Sequence, residues 1–418
     1  MSGQPIPVTV LSGSLGAGKT TLLNHVLRET DRELSVLVND MGEVNVDADL
    51  VAERSAISED EREVIELSDG CICCELRGDL LDAIGALAEA REFDALVIES
   101  TGVAEPLPLA QTLTLGFDQS DLDPTEFYEE TGIEPMDHYD LDTTVTVVDA
   151  HRFEAAMRSE ETLDDDGTEK HLGDLLVEQV EFCDVLVLNK CDLVSEDALD
   201  GIEGVVRTLQ PRAEIVRTEH GRIDPEAIVE TGRFDFEAAS RSAGWIRELE
   251  EEHASAEEEH GVSSFVFEAR RPFHPERFAD VLDHAPGSVV RAKGHFWLAG
   301  RERAALSLSI AGRSIRVAPG GQWLATLPED ERAAYLEAYP EIEESWDERW
   351  GDRGTQLVLI GQGMDRGAVE RRLEACLLTE NEMITDWAEF EDRFPTFETV
   401  EDAGHDHEET AEEIGLAD

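Results

Sequence analysis

The stretch that decides the fold is Ile6-Pro7-Val8-Thr9-Val10-Leu11-Ser12-Gly13-Ser14-Leu15-Gly16-Ala17-Gly18-Lys19-Thr20-Thr21. Its first six residues form an apolar, β-branched run of strand length. Gly13 to Thr20 then fits G-x-x-x-x-G-K-[ST], the phosphate loop, and a helix-compatible pattern runs from Thr20 to Arg28. Strand, glycine loop and helix in that order separate the motif from a chance Gly-rich turn. The chemistry asks for these residue types. Glycines let backbone N–H groups curl around phosphate oxygens, and the helix N-terminus adds a favourable dipole. Lys19 is expected to reach the β- and γ-phosphates, and the Thr20 hydroxyl to ligate Mg²⁺. Gly13, Gly16, Ala17, Gly18, Lys19, Thr20 and Thr21 are thus candidate nucleotide-binding residues.

Working outward, apolar runs recur at Leu34–Val38, Ala95–Ile98, Thr143–Val148 and Val185–Leu188. Helix-compatible segments separate them, among them Gly78–Ala90 and Glu196–Leu209. Near-continuous apolar strands alternating with helices predict a mostly parallel sheet covered on both faces, an α/β domain over residues 1–234. Phe117–Asp142 and Ser159–Glu169 are acidic and weakly periodic and read as surface insertions. An acidic linker is expected over 235–262. A smaller α+β domain follows over 263–382, with strands at Phe265–Ala269, Ser288–Leu298, Leu306–Ile310 and Gln356–Ile360 and helices at Pro275–His284 and Arg366–Cys376. Phe296 and Trp297 read as its core. Residues 383–418 are expected to be an acidic tail.

Asn189-Lys190-Cys191-Asp192, directly after the fifth apolar run, matches the N-K-x-D guanine reader. The Asp192 carboxylate accepts from guanine N1–H and the 2-amino group, a donor pair that adenine lacks. The Lys190 stem lies along the purine plane. The expected nucleotide is GTP, bound with Mg²⁺. Ile98-Glu99-Ser100-Thr101-Gly102 closes another apolar run; Glu99 is placed to hold the Mg²⁺ water shell, and Gly102 to admit the γ-phosphate.

Ser68-Asp69-Gly70-Cys71-Ile72-Cys73-Cys74 is the most unusual local feature. Thiolates select Zn²⁺, Cu(I) or similar metals. In an extended segment Cys71 and Cys73 face one way and Cys74 the other, so all three meet one ion only if the chain turns. Three thiolates leave a fourth position for another donor or a partner. The competing readings are a buried apolar cysteine cluster and a redox pair. Between loop and thiols, Asp40 is a candidate to position water or Mg²⁺, and Glu43 a candidate extra metal ligand.

The balance of Lys plus Arg against Asp plus Glu is 34 to 96, a net charge of −62 in 418 residues. Such a surface repels phosphate backbones and anionic lipid, which argues against nucleic-acid and membrane binding. It resembles surfaces of proteins from salt-loving microbes, where concentrated ions screen self-repulsion; an acidic face for a basic partner is the other reading. Only Lys19, Lys170, Lys190 and Lys293 are lysine. The start lacks the pattern of a secretory signal, no apolar run reaches the ~18 residues of a span, and cysteines are few. A cytoplasmic protein is expected.

Taken in order, Gly13–Thr21, Asn39–Asp47, Gly70–Cys74 with Arg77, Glu99–Gly102, Val147–Ala150 and Asn189–Asp192 resemble the CobW-like metallochaperone GTPases, relatives of the hydrogenase and urease maturation GTPases. Phe267–Pro275, Arg291-Ala292-Lys293-Gly294 and Leu357–Gly361 are similar to the CobW C-terminal domain. The resemblance covers most of residues 6–380. It implies GTP hydrolysis coupled to delivery of a divalent metal, zinc first and cobalt in some members, to a client protein or a cofactor pathway such as cobalamin. Cys71, Cys73 and Cys74 would bind the ion, and a homodimer is allowed. Asp40 stands where the family usually has Glu, which shortens that carboxylate arm by one methylene. The catalytic set expected is Lys19, Asp40, Glu43 and Glu99. Two other classes compete: a regulatory or assembly GTPase with a purely structural zinc, and a small-molecule kinase, which needs no guanine reader.

Overall fold

The computed structural model describes residues 5–39, 64–67, 84, 87, 93–100, 102, 106–115, 138–159, 161–165, 168–235, 238–239, 261–339, 342 and 346–396. The chain divides into two compact units, Met1–Gly244 and Trp245–Asp418.

The first unit is built on a seven-stranded sheet. Its strands are β1 (Ile6–Ser12), β2 (Leu34–Asn39), β3 (Val64–Leu67), β4 (Ala95–Glu99), β5 (Tyr139–Asp149), β8 (Val185–Asn189) and β9 (Glu214–Arg217), in the order β3-β2-β4-β1-β5-β8-β9. Every neighbouring pair is parallel. A parallel sheet must be covered on both sides, and alternate residues of each strand divide accordingly. Val36, Val38, Ala95, Val97, Val145 and Val147 pack with Leu22, Leu23, Val26 and Leu27 of helix α1 (Lys19–Glu29). Leu37, Leu96 and Ile98 face the other way, onto Leu109, Ala110 and Leu113 of α2 (Pro106–Leu115). Of the expected helix Gly78–Ala90, Ile84 and Leu87 are described, helical and buried in that second core. The order reverses around β1, which lies between β4 and β5, so a crevice opens at the carboxyl ends of the strands where ligands bind in such sheets.

Two readings change. Tyr139–Asp142 is no insertion: it is the start of β5, with Tyr139 and Leu141 buried. Ser159–Glu169 contributes to a hairpin of β6 (Thr162–Asp165) and β7 (Thr168–His171), whose polar sequence hides its pairing. Helices α3 (Phe153–Met157), α4 (Leu172–Glu181) and α5 (Glu196–Leu209) complete the unit.

In the second unit, β10 (Val262–Ala269), β11 (Val289–Phe296), β12 (Ala304–Ala311), β13 (Ser314–Gln322) and β14 (Thr355–Gln362) form an antiparallel sheet ordered β10-β14-β11-β12-β13. Strand β13 was not anticipated; it is an edge strand, where Pro319 and Gly320-Gly321 are tolerated. Helix α7 (Glu329–Ala338) was missed for want of an apolar stripe. Helices α6 (Pro275–Asp283) and α8 (Arg366–Cys376) lie close to their expected positions. Phe278 is the centre of an aromatic stack, 4.1 Å from Phe273 and 5.0 Å from Phe296 between ring centroids. Phe296 and Trp297 are both fully buried, as their patterning implies. The domain does not end at 382. Phe394 packs onto Phe278 and Phe296, and Arg301 holds its segment by donating to Asp392 Oδ2, Phe394 O and Pro395 O. Residues 383–396 therefore belong to the fold, and 397–418 lie outside the described residues.

Arg277 of α6 forks onto Glu382 at 2.8 and 2.9 Å, and Glu382 also accepts from Thr379. The guanidinium and these donors hold the Glu382 carboxyl at about 2. Because the folded value lies below the unfolded one, the stabilisation is present above the ordinary Glu range and is lost as pH falls through it toward 2. In urea melts at constant salt, the deficit of Glu382→Gln against wild type should therefore be largest at neutral pH and shrink below about pH 4.

Candidate functional site

The loop between β1 and α1 is shaped by backbone that only glycine accepts. Gly13 sits at φ 136°, and a Cβ there would lie 2.2 Å from the Val147 carbonyl oxygen of β5. Gly18, at φ 110°, has the Asn189 side-chain nitrogen 2.4 Å from where its Cβ would be. Ala17 N donates to Ser14 O at 3.1 Å, which tightens the loop. Lys19 is buried and folds back over the loop, its ammonium donating to Gly13 O at 2.7 Å.

Thr20 and Glu99 meet across the crevice. The Thr20 hydroxyl donates to Glu99 Oε1 at 3.3 Å, and Glu99 is 2% exposed at the end of β4. A hydroxyl and a buried carboxylate at this separation are hard oxygen donors suited to Mg²⁺, so the residues present fit that ion. Gly102 lies against the loop; a Cβ on it would be 2.7 Å from Leu15 N. Thr21 is exposed on α1.

The N-K-x-D element is tied directly to the phosphate loop. Asn189, 2% exposed at the end of β8, donates from Nδ2 to Ala17 O at 2.9 Å. Its Oδ1 accepts from the Thr218 hydroxyl and from Gly221 N, both at 3.0 Å. Lys190 adopts a left-handed backbone (φ 61°), unusual for a residue with a Cβ, and its ammonium donates to Gly16 O and to Asp149 Oδ2, each at 2.7 Å. Asp192 follows on a short 3-10 turn (Cys191–Leu193) with its side chain exposed. His220, also left-handed at φ 56°, is exposed beside Gly221.

Asp40, Glu43, Cys71, Cys73 and Cys74 lie outside the described residues. Among the described residues no group of three metal-ligating side chains comes together. The three described cysteines are structural thiols. Burial pushes Cys183, Cys191 and Cys376 up from the ordinary range, and each S–H points at a backbone carbonyl. No described helix is long and apolar enough to cross a membrane.

The structure brings Gly13, Gly16, Ala17, Gly18, Lys19, Asn189 and Lys190 together and pairs Thr20 with Glu99. Thr218, which in sequence stands where it could flank the base, bonds Asn189 instead, and no motif signals the parts played by Asp149 and Gly221. Asp149 sits at the end of β5, where the backbone amides of His151 and Arg152 just beyond it donate to its carboxylate.

A β-strand, glycine loop and helix joined at their carboxyl edge to an N-K-x-D turn define a P-loop GTPase. Within that class the chain belongs to the CobW/HypB/UreG family. The family's nucleotide-binding domain matches residues 7–217, and the cobalamin synthesis protein cobW C-terminal domain matches 262–377. It is 40% identical over 400 residues to zinc-regulated GTPase metalloprotein activator 1 of Dictyostelium discoideum, spanning 91% of this chain and 82% of that one. Two further relatives are the zinc chaperone CobW of Sinorhizobium sp, at 26% identity over 88% of this chain and 97% of that one, and the zinc chaperone YjiA of Escherichia coli K12, at 29% over 71% and 83%.

Replacing Asn189 by Ala removes three buried hydrogen bonds and leaves Ala17 O, the Thr218 hydroxyl and Gly221 N without it. A loss of about 2–4 kcal/mol in denaturant unfolding is expected, with nucleotide affinity lost in parallel.

Proposed function

We propose that this protein hydrolyses GTP to GDP and phosphate and couples that cycle to binding zinc and handing it to a receiving protein. The observation that carries the nucleotide half is the 2.9 Å bond from Asn189 to Ala17 O, which fixes the guanine reader against the phosphate loop. Lys19 leaves Gly13 O for the β- and γ-phosphates, where its compact ammonium and the loop amides stabilise charge that grows in the transition state. Thr20 and Glu99 hold Mg²⁺, which when bound neutralises charge on the phosphate oxygens. Gly102, against Leu15, leaves room for the γ-phosphate. Asp40 or Glu43 orders the attacking water.

The metal half is supported by the thiol motif and by the kinship to a zinc-regulated activator and two zinc chaperones. Cys71, Cys73 and Cys74 take the ion as cargo, with Glu43 as fourth donor, and soft thiolates favour Zn²⁺ over harder ions. Cobalt is the competing cargo. In sequence, Asn39–Asp47 runs on from the end of β2 between the phosphate loop and the thiol motif, and a response of this segment to hydrolysis would alter zinc affinity. A cytoplasmic protein of a salt-rich cell remains the reading of its charge, and a homodimer the arrangement to test.

Four measurements test this. Lys19→Ala should lower kcat for GTP by about 10²–10³-fold in a phosphate-release assay. Asp192→Asn should trade GTP for xanthosine triphosphate, since the amide donates to the xanthine 2-oxygen and no longer accepts from the guanine 2-amino group; unchanged GTP preference would remove Asp192 as the reader. Cys73→Ser should keep its melting temperature, because both described cores of the first unit pack without metal ligands, while losing zinc by elemental analysis and losing any zinc dependence of GTP turnover. Unfolding of that variant would instead mark the zinc as structural. Equal zinc affinity with a GTP analogue and with GDP would refute the coupling.

A further inference from the structure

The Lys190 ammonium has two acceptors, and they differ in kind. Gly16 O is a neutral carbonyl on an exposed loop, whereas Asp149 Oδ2 belongs to a carboxylate that is 5% exposed. The Lys190 and Asp149 side chains are 32% and 6% exposed, so this is not a solvated surface pair. Asp149 is itself held. Its Oδ1 accepts from His151 N at 2.9 Å and Arg152 N at 3.2 Å. Its strand position is in register with Asn189, and Ala150 N donates to Asn189 O at 2.9 Å. One carboxylate therefore divides its oxygens, one fixing the turn after β5 and the other fixing lysine.

We propose that Asp149 is a positioning residue for guanine recognition: it clamps the Lys190 ammonium so that the lysine stem forms a fixed shelf for the purine and the left-handed turn presents Asp192. This rests on the GTP reading above. Lysine carries a flexible four-carbon stem on a strongly hydrated point charge, and a neutral carbonyl alone holds it weakly. A charge-assisted bond to a buried, doubly capped carboxylate holds it in one place. The bonds of Asp149 go to Lys190 and to the turn after β5, which puts its role in base affinity.

Asp149→Asn separates the two oxygens, because its Oδ1 still caps His151 and Arg152 while an NH₂ replaces the lysine acceptor. The dissociation constant for fluorescent GDP should rise about tenfold or more, and KM for GTP in step, with kcat at saturation within about threefold of wild type. Asp149→Ser, whose hydroxyl caps the turn yet is too short to reach Lys190, repeats the test in a second background, and thermal midpoints report the fold of each. If the clamp acts through lysine alone, Asp149→Asn combined with Lys190→Met binds GDP no more weakly than Lys190→Met. Losses that multiply, or a single variant that binds GDP as wild type does, overturn the proposal. Titrating wild type with ADP beside GDP separates the two readings. Equal affinity brings down guanine recognition and this role with it, whereas a preference for GDP with an unaffected Asp149→Asn brings down the role alone.

Discussion

The carboxamide of Asn189 ends β8 inside the protein, where a polar group must find partners or cost stability. Its donor takes the phosphate-loop carbonyl at Ala17, and its acceptor takes a hydroxyl and an amide from the segment after β9. Three stretches far apart in sequence thus share one rigid planar group. Gly18 is glycine because that group occupies the space where a Cβ would go. Thr218 N, in turn, donates to Leu188 O, and Cys191 N to Thr218 O, so the backbone repeats the join that the side chain makes. The phosphate loop and the N-K-x-D turn are therefore a single piece.

How much of this was readable beforehand depended on whether the signal was local. The phosphate loop, the N-K-x-D turn and strands β1, β2, β4, β5 and β8 are written in consecutive residues and lie within a few positions of their apolar runs, whereas β3, β6 and β7 carry no such run. The Thr20–Glu99 pair was inferred from chain order alone, and the 3.3 Å contact follows from β1 and β4 being neighbours, which no local pattern states. Asp149 lies in the family-like stretch Val147–Ala150, but its role is not legible there, because an aspartate at a strand end is ordinary until its partner is known to be 41 residues away. Strand β13 and the folded stretch around Phe394 failed for different reasons. The first carries edge-strand glycines, and the second hides one core phenylalanine among acidic neighbours.

The arginine bias of the basic residues finds its use in the crosslinks. Arg217 of β9 meets Glu196, Asp200 and Glu203 of α5 at once, and Arg393 reaches Asp280 and Asp283 of α6. A planar fork satisfies several carboxylates in fixed directions, which a point charge does not. Exposed pairs of this sort each add little, but in a chain with so many acids they also remove repulsion between neighbouring carboxylates. Lysine is retained where the opposite property is wanted, a compact ammonium on a long arm.

Cys183, Cys191 and Cys376, the first and last buried and Cys191 half-buried, have a consequence for how metal traffic is observed. Cys183, Cys191 and Cys376 are held protonated by their surroundings, each spending its hydrogen on a carbonyl. An alkylating reagent at neutral pH meets slow sulfur at all three. Labelling faster than that background would report the remaining cysteines, Cys71, Cys73 and Cys74, and on the proposed reading zinc would protect them, three thiols to each ion, without mutating a single residue.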